Sequence, residues 1–228
     1  AAMSHQNSLM QDPAKLTLEK LHTAAKGDRW RFVGLAPKLL TGFFRGKSFM
    51  EVLSSSAMKE CFIPVSPEQG ELLYLTARAQ GAKNIVEFGT SFGISTIYLA
   101  AAAKDNGDGR VIGSELEPNK CKAAAQNLID AGVSEYAEIR AGDALETLAE
   151  LPEPVDLVLL DGWKDLYLPV LELIKPRLRP GAIILADNIF TFRKALRPYV
   201  EYMQNGQNGF SSTTLHIGEG FEYSVYLG

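Results

Sequence analysis

Apolar and polar positions alternate in blocks along this chain, and from about residue 63 onward the blocks recur regularly. Short apolar runs of strand length are separated by stretches whose apolar residues return every three or four positions, the spacing of one helix face. Asn84 to Phe88, Arg110 to Ser114, Ala137 to Arg140, Val155 to Leu160 and Ala182 to Ala186 read as strands. Val155-Asp156-Leu157-Val158-Leu159-Leu160 is nearly all apolar, as a central parallel strand covered on both faces should be. Helices are predicted over Gln69 to Gln80, Ser95 to Lys104, Asn119 to Asp130, Ala144 to Leu151, Leu166 to Leu178 and Arg193 to Asn205. For the first of these, Ser66 supplies a cap, Pro67 suits the opening turn and Gly81 ends the run. Ser211 to Ile217 and Phe221 to Tyr226 read as antiparallel strands joined around Gly218-Glu219-Gly220.

Repeated β-α units with a terminal hairpin predict an α/β fold. We expect a Rossmann-like doubly wound sheet, mostly parallel with an antiparallel C-terminal hairpin, with helices on both faces. The first sixty residues read differently, as helices broken by Gly27, Gly34 to Pro37 and Gly46. The expected organisation is an N-terminal helical lid or dimerisation segment over 1–62 and the sheet-bearing domain over 63–228. Within the former, Arg29-Trp30-Arg31-Phe32-Val33 through Phe43-Phe44-Arg45 has the character of a surface-seeking helix. A helix lying over the domain is the commoner origin of such a pattern.

Composition narrows the classes. At 228 residues, with 46% hydrophobic and 22% charged, the chain has the makings of an ordinary globular core. A formal net charge of −4 argues against nucleic-acid binding, which normally shows a basic surplus. No apolar run approaches the roughly 20 residues that span a bilayer, and Ala1 to Gln11 lacks the order of a signal peptide. Cys61 and Cys121 are far apart, without metal-type spacing. A cytoplasmic protein that contacts neither membrane nor nucleic acid is the expectation.

Candidate chemistry sits at the carboxyl ends of the predicted strands, where doubly wound sheets bind ligands. The first strand runs into Gly89-Thr90-Ser91-Phe92-Gly93-Ile94-Ser95, glycines that permit close approach just before a helix N-terminus. Serine at 91 and isoleucine at 94 break a dinucleotide fingerprint, and no P-loop lysine follows. Glu87, Glu115 and Asp143 fall at successive strand ends. Three carboxylates with glycines between them point to a nucleoside without phosphate, and S-adenosylmethionine fits because it is a sulfonium with a zwitterionic tail. After the fourth and fifth strands come Asp161 and the pair Asp187-Asn188. Neighbouring parallel strands bring these within reach of one ion, and two carboxylates with an amide oxygen form a hard set suited to Mg²⁺.

The run Asp161-Gly162-Trp163-Lys164-Asp165 with Tyr167-Leu168-Pro169, followed by Ala186-Asp187-Asn188, resembles the catechol O-methyltransferase family, which includes the caffeoyl-CoA type enzymes. Glu87-Phe88-Gly89 through Ser95, and Ser114-Glu115-Leu116-Glu117-Pro118, match that family's cofactor segments in order and spacing. The similarity covers roughly Ile63 to Gly228. It implies that Asp161, Asp187 and Asn188 hold Mg²⁺ (or Mn²⁺ or Ca²⁺), with Lys164 as general base beside Asp161. For S-adenosylmethionine, and S-adenosylhomocysteine as product, it implies contacts from Glu87, Gly89, Ser91 and Gly93. Ser95 and the backbone near Val65 would meet the methionine carboxylate. Glu115 and Leu116 would meet the ribose, and Gly142, Asp143 and Ala144 the adenine end. Asp161 and Trp163 would close the pocket, Trp163 against adenine or substrate.

The implied reaction is methyl transfer to a hydroxyl of a phenolic, catechol-like diol, in a homodimer as in bacterial and plant members. The glutamate that animal members place near the C-terminus, on the second substrate hydroxyl, is replaced here by Thr213 or Thr214, with Glu219 and Glu222 aligning poorly. Met58, Phe62 and His216 are candidate lining residues. The alternatives are a metal-independent class I methyltransferase, a tRNA hydroxyuridine methyltransferase and a non-catalytic binding protein.

Overall fold

The structure, a computed structural model, describes residues 7–25 and 64–228. The chain divides into one compact unit of Ala1–Leu18 with Val65–Gly228 and another of Glu19–Pro64. The basic stretch from Arg29 to Arg45, Met58, Phe62 and the expected boundary at 62/63 lie outside the described residues. Of the N-terminal region, a 3-10 turn at Ser8–Met10 and a helical stretch over 14–25 are described.

In the sheet-bearing unit the order is α1 (Pro67–Gln80), β1 (Asn84–Phe88), α2 (Ile94–Asp105), β2 (Arg110–Glu115), α3 (Pro118–Asp130), β3 (Ala137–Ala141), α4 (Ala144–Thr147), β4 (Val155–Leu160), α5 (Tyr167–Ile174), β5 (Leu178–Ala186), α6 (Arg193–Gln204), β6 (Phe210–Leu215) and β7 (Phe221–Tyr226). The strands lie in the order β3-β2-β1-β4-β5-β7-β6. Pairs among β1 to β5 are parallel, while β7 runs antiparallel to both β5 and β6. This is the doubly wound sheet with an antiparallel edge that the hydrophobic pattern predicts.

Chain order reverses direction between β1 and β4, which makes the crevice at their carboxyl ends the place for a ligand. Leu157 to Leu160 are fully buried, each worth about 1.5–3 kcal/mol of apolar transfer. They lock the centre of the sheet. The loops that follow β1, β4 and β5 are therefore anchored at one end by the buried centre of the sheet.

α1 begins as its sequence indicates. Ser66 Oγ accepts the Gln69 N–H, Gln69 returns a bond to the Ser66 N–H, Pro67 opens the helix, and Gly81 closes it in the left-handed conformation. The predicted helix from Ala144 to Leu151 is a single turn. Arg140 Nη1 takes the carbonyls of Thr147 (2.8 Å) and Glu150 (2.6 Å), and Arg177 Nη2 takes that of Ala149 (2.6 Å). Those acceptors are thus satisfied without a helix, and Pro152 bars Leu151 from helical geometry.

Residues 7–18 group with the sheet although they precede it by some fifty positions. The link is Asp105, the last residue of α2 and 2% exposed. Its carboxylate accepts Ser8 N–H (2.8 Å), Ser8 Oγ (2.6 Å) and Tyr74 Oη of α1 (2.7 Å). Asp105→Ala strands three donors, so we expect the full-length chain to lose about 3 kcal/mol of unfolding free energy, at 1–3 kcal/mol per unsatisfied buried group. Urea denaturation measures it, and a loss below about 0.5 kcal/mol contradicts the clasp, since that is an ordinary surface effect.

Candidate active site

The loop after β1 is shaped by its neighbour. Gly89 has φ +95°, and a Cβ there would lie 2.6 Å from the main chain of Asp161 and Gly162. The sequence predicts close ligand approach at this glycine; its immediate requirement is the β4 loop, whose Asp161 N–H donates to Phe88 O at 2.8 Å. The chain then turns through Ser91 and Gly93 into α2, whose first turn has no side-chain cap. Free main-chain N–H groups at that end, with the helix dipole behind them, suit a carboxylate.

Glu87 lies beneath this loop. It is fully buried and accepts hydroxyl bonds from Thr90 (2.9 Å), Ser95 (2.6 Å) and Thr96 (2.5 Å). Burial raises its carboxyl above the usual range, with the three hydroxyls opposing. Glu87 thus pins the loop to α2, and Ser95, expected at a methionine carboxylate, spends its hydroxyl on Glu87. Glu115, at the end of β2, is held by two main-chain donors: Ser91 N to Oε2 at 2.8 Å and Glu117 N to Oε1 at 2.9 Å. It retains lone pairs for a vicinal diol such as a ribose.

Gly142 N donates to Glu115 O, and Asp143 caps α4 through the Leu145 N–H, so this pair stands beside Glu115, followed by buried Ala144. Leu116 (67% exposed) and Trp163 (45%) on the loops after β2 and β4, and Leu145 (38%) in α4, leave apolar side chains open. Apolar surface of that kind fits a purine. Val65 is buried just ahead of the α1 cap. The uncapped helix end, the oriented Glu115 and the apolar rim together fit S-adenosylmethionine.

The second cluster joins β4 to β5. Register pairs Leu160 with Ala186, so Asp161 and Asp187 leave neighbouring strands side by side. Asn188, at φ +65°, turns back toward them. Lys164, on the 3-10 turn after β4, reaches into the group. Its Nζ lies 2.5 Å from Asn188 Oδ1, 2.8 Å from Tyr167 Oη and 3.5 Å from Asp161 Oδ1, with the rings of Tyr167 and Phe192 at 5.0 and 5.4 Å. Tyr167 in turn donates to Asp187 O at 3.1 Å.

The electrostatics are strained in one direction. Burial raises Asp161, with Lys164 opposing, and burial together with the Asp161 charge raises Asp187. Burial likewise lowers Lys164 below the usual lysine range, against the pull of Asp161 and Asp187. A divalent cation among these oxygens would relieve the repulsion, and the donor set is hard and all-oxygen. Asp161, Asp187 and Asn188 therefore fit a Mg²⁺-type ion.

Three features escaped the sequence. In sequence Gln69 marks only the start of a helix, yet its amide donates to Asp187 Oδ1 at 2.6 Å. Glu222 is fully buried and accepts from Ser212 (2.5 Å), Thr214 (2.5 Å) and Gln204 (2.7 Å), inside the hairpin rather than at the site. Thr214 is thereby committed to Glu222. The β6–β7 loop, by contrast, grips the turn after Asn188: Gly220 O accepts Ile189 N–H, Glu219 O accepts Phe190 N–H, and the Glu219 side chain accepts the Thr191 hydroxyl at 2.6 Å. His216 stacks on Phe190 with centroids 4.8 Å apart, which puts it beside this turn. No helix among the described residues is long and apolar enough to cross a membrane.

Comparison with known proteins agrees with this geometry. A family model described as a methyltransferase domain matches residues 86–189. The catechol O-methyltransferase of Niastella koreensis is 38% identical over 138 residues, covering 59% of this chain and 62% of that one. The chain spans about three fifths of the length of the first curated relatives it matches. The crystal structure of a Streptomyces achromogenes O-methyltransferase of tomaymycin synthesis, in complex with S-adenosylmethionine, is 31% identical, with TM-score 0.65, covering 72% of this chain and 82% of that one. An O-methyltransferase from Bacillus cereus, solved with S-adenosylhomocysteine, is 26% identical with TM-score 0.70, covering 96% and 94%. With its sheet order, its two strand-end clusters and these relatives, the chain belongs to the class I S-adenosylmethionine-dependent O-methyltransferases.

Proposed function

We propose that this chain transfers the methyl group of S-adenosylmethionine to one hydroxyl of a catechol-like vicinal diol, with Asp161, Asp187 and Asn188 holding Mg²⁺ and Lys164 acting as base. The observation that carries the reading is the Lys164 ammonium set against oxygens of two of the proposed ligands, Asp161 and Asn188, where burial lowers its pKa. S-adenosylmethionine would supply a methyl already activated by sulfonium, and Mg²⁺ held by Asp161, Asp187 and Asn188 would lower the proton affinity of the substrate hydroxyls.

The chain's own groups then have distinct tasks. Lys164 Nζ, in its neutral form, takes the phenol proton. Tyr167 Oη and Asn188 Oδ1 keep that nitrogen from swinging out to solvent. The rings of Tyr167 and Phe192 exclude water from it. Glu115 and the uncapped end of α2 hold the cofactor by ribose and carboxylate, so that its methyl has a fixed location. The Phe190–His216 stack beside the Asn188 turn offers an aromatic wall for a phenolic ring.

Two measurements test this. A panel of catechols and monophenols is assayed with and without Mg²⁺. We expect methylation of vicinal diols only, lost by about a hundredfold or more in EDTA, since a Lewis-acid metal contributes several kcal/mol. Undiminished turnover in EDTA points instead to a metal-independent methyltransferase. For the base, Lys164→Met should reduce kcat by about 10²–10⁴-fold, the usual range for a positioned general base. In wild type the rate should rise with pH as Lys164 loses its proton and then level off, because the protonated ammonium cannot accept one. The lowered pKa moves that rise below the normal lysine range. A Lys164→Met enzyme that keeps the same ascending limb contradicts the assignment.

A further inference from the structure

Gln69 is 1% exposed and uses its amide twice. Oε1 accepts the Ser66 N–H at 2.9 Å, completing the reciprocal cap of α1. Nε2 donates to Asp187 Oδ1 at 2.6 Å, 118 residues away in sequence. The same Oδ1 also accepts the Asn188 N–H at 2.6 Å. Oδ1 thus has two donors, while Oδ2 takes no hydrogen bond among the described residues.

The amide is enclosed from the far side. Gly218, at φ +55° in the β6–β7 loop, sits so close that a Cβ there would lie 2.5 Å from Gln69 Cδ and Oε1. That loop also holds the turn after Asn188 through Gly220 and Glu219. Asp187 is therefore fixed between the first turn of α1 and the C-terminal hairpin. A primary amide can accept from Ser66 and donate to a carboxylate at once. A glutamate would accept at both ends and add a third negative charge beside Asp161 and Asp187.

We propose that Gln69 is a positioning residue for the divalent cation: by bonding Oδ1 it locks Asp187 in the orientation that presents Oδ2 to the ion. The inference rests on Asp161, Asp187 and Asn188 being cation ligands. It makes the start of α1, next to the expected methionine-carboxylate contact at Val65, a structural part of the metal site. Partners of this kind, acting behind a ligand, usually change metal affinity by about 10–100-fold when removed.

The test is Mn²⁺ binding to the full chain, read by the loss of the free-ion electron paramagnetic resonance signal, with no substrate and no turnover. Gln69→Leu should weaken binding by about tenfold or more, in line with other supports of metal ligands. Gln69→Met, which preserves side-chain length, is read in the same way should the leucine variant not fold. Ser66→Ala separates positioning from helix capping: it removes the cap hydroxyl and lowers the melting temperature but leaves the Gln69–Asp187 bond. It should bind Mn²⁺ within about twofold of wild type, below the effect expected of a lost ligand support. Gln69 variants that bind as wild type does, or a Ser66→Ala chain as weak as Gln69→Leu, overturn the positioning role. A wild-type chain that binds no Mn²⁺ overturns the cation reading itself, and the role of Gln69 with it.

Discussion

Asp161 and Asp187 leave adjacent parallel strands at the same level, and the Leu160–Ala186 register leaves the backbone no freedom to separate them. Strands lie about 4.8 Å apart, and two unit charges at such a distance interact by about 3–4 kcal/mol in the partly desolvated interior of a protein. Lys164 pairs with Asp161, while burial and the Asp161 charge raise the Asp187 carboxyl above its usual range. Around the two aspartates the remaining polar contacts are ordered. Tyr167 Oη donates to Asp187 O while accepting Lys164, Asn188 supplies both an N–H to Asp187 and an oxygen to Lys164, and Gln69 holds Asp187 from behind. Among the described residues these donors meet the two carboxylates with a single ammonium, and the site suits added positive charge.

The cofactor half of the crevice follows the same logic with a different outcome. Glu87, buried as deeply as Asp187, is surrounded by three hydroxyls and forms the floor of the β1–α2 loop. Glu115 meets main-chain N–H groups and faces the crevice with lone pairs to spare. The two halves meet at Gly89, where the β1 loop rests on the main chain of Asp161 and Gly162. A shift in either loop reaches the other, so the two halves of the crevice are registered by a backbone contact.

The strands and the fold class were legible because parallel strands covered on both faces must be largely apolar, and Val155 to Leu160 is so at every position but Asp156. The α1 cap was legible because Ser66, Pro67 and Gly81 act locally. Strand-end placement brought Asp161 and Asp187-Asn188 together for the same reason that it names the switch point of the sheet. What was not legible depends on partners distant in sequence. Ala144 to Leu151 has helical periodicity, but the guanidiniums of Arg140 and Arg177 take its carbonyls. Gln69 looks like any helix-start residue until the fold brings it to Asp187. Glu87 reads as a ligand by position, and only the hydroxyls of Thr90, Ser95 and Thr96 disclose its role under the loop. The region from residue 26 to 63, where a substrate lid was expected, lies outside the described residues.

The account turns on one cation seated between the ends of β4 and β5. Anomalous diffraction at the manganese edge, from crystals of the full chain grown with Mn²⁺ and S-adenosylhomocysteine, tests this most directly. A single peak in contact with Asp161, Asp187 and Asn188 oxygens, with Gln69 still bonded to Asp187, is the predicted result. A map with no peak there, and with Lys164 still lying between Asp161 and Asn188, would contradict it.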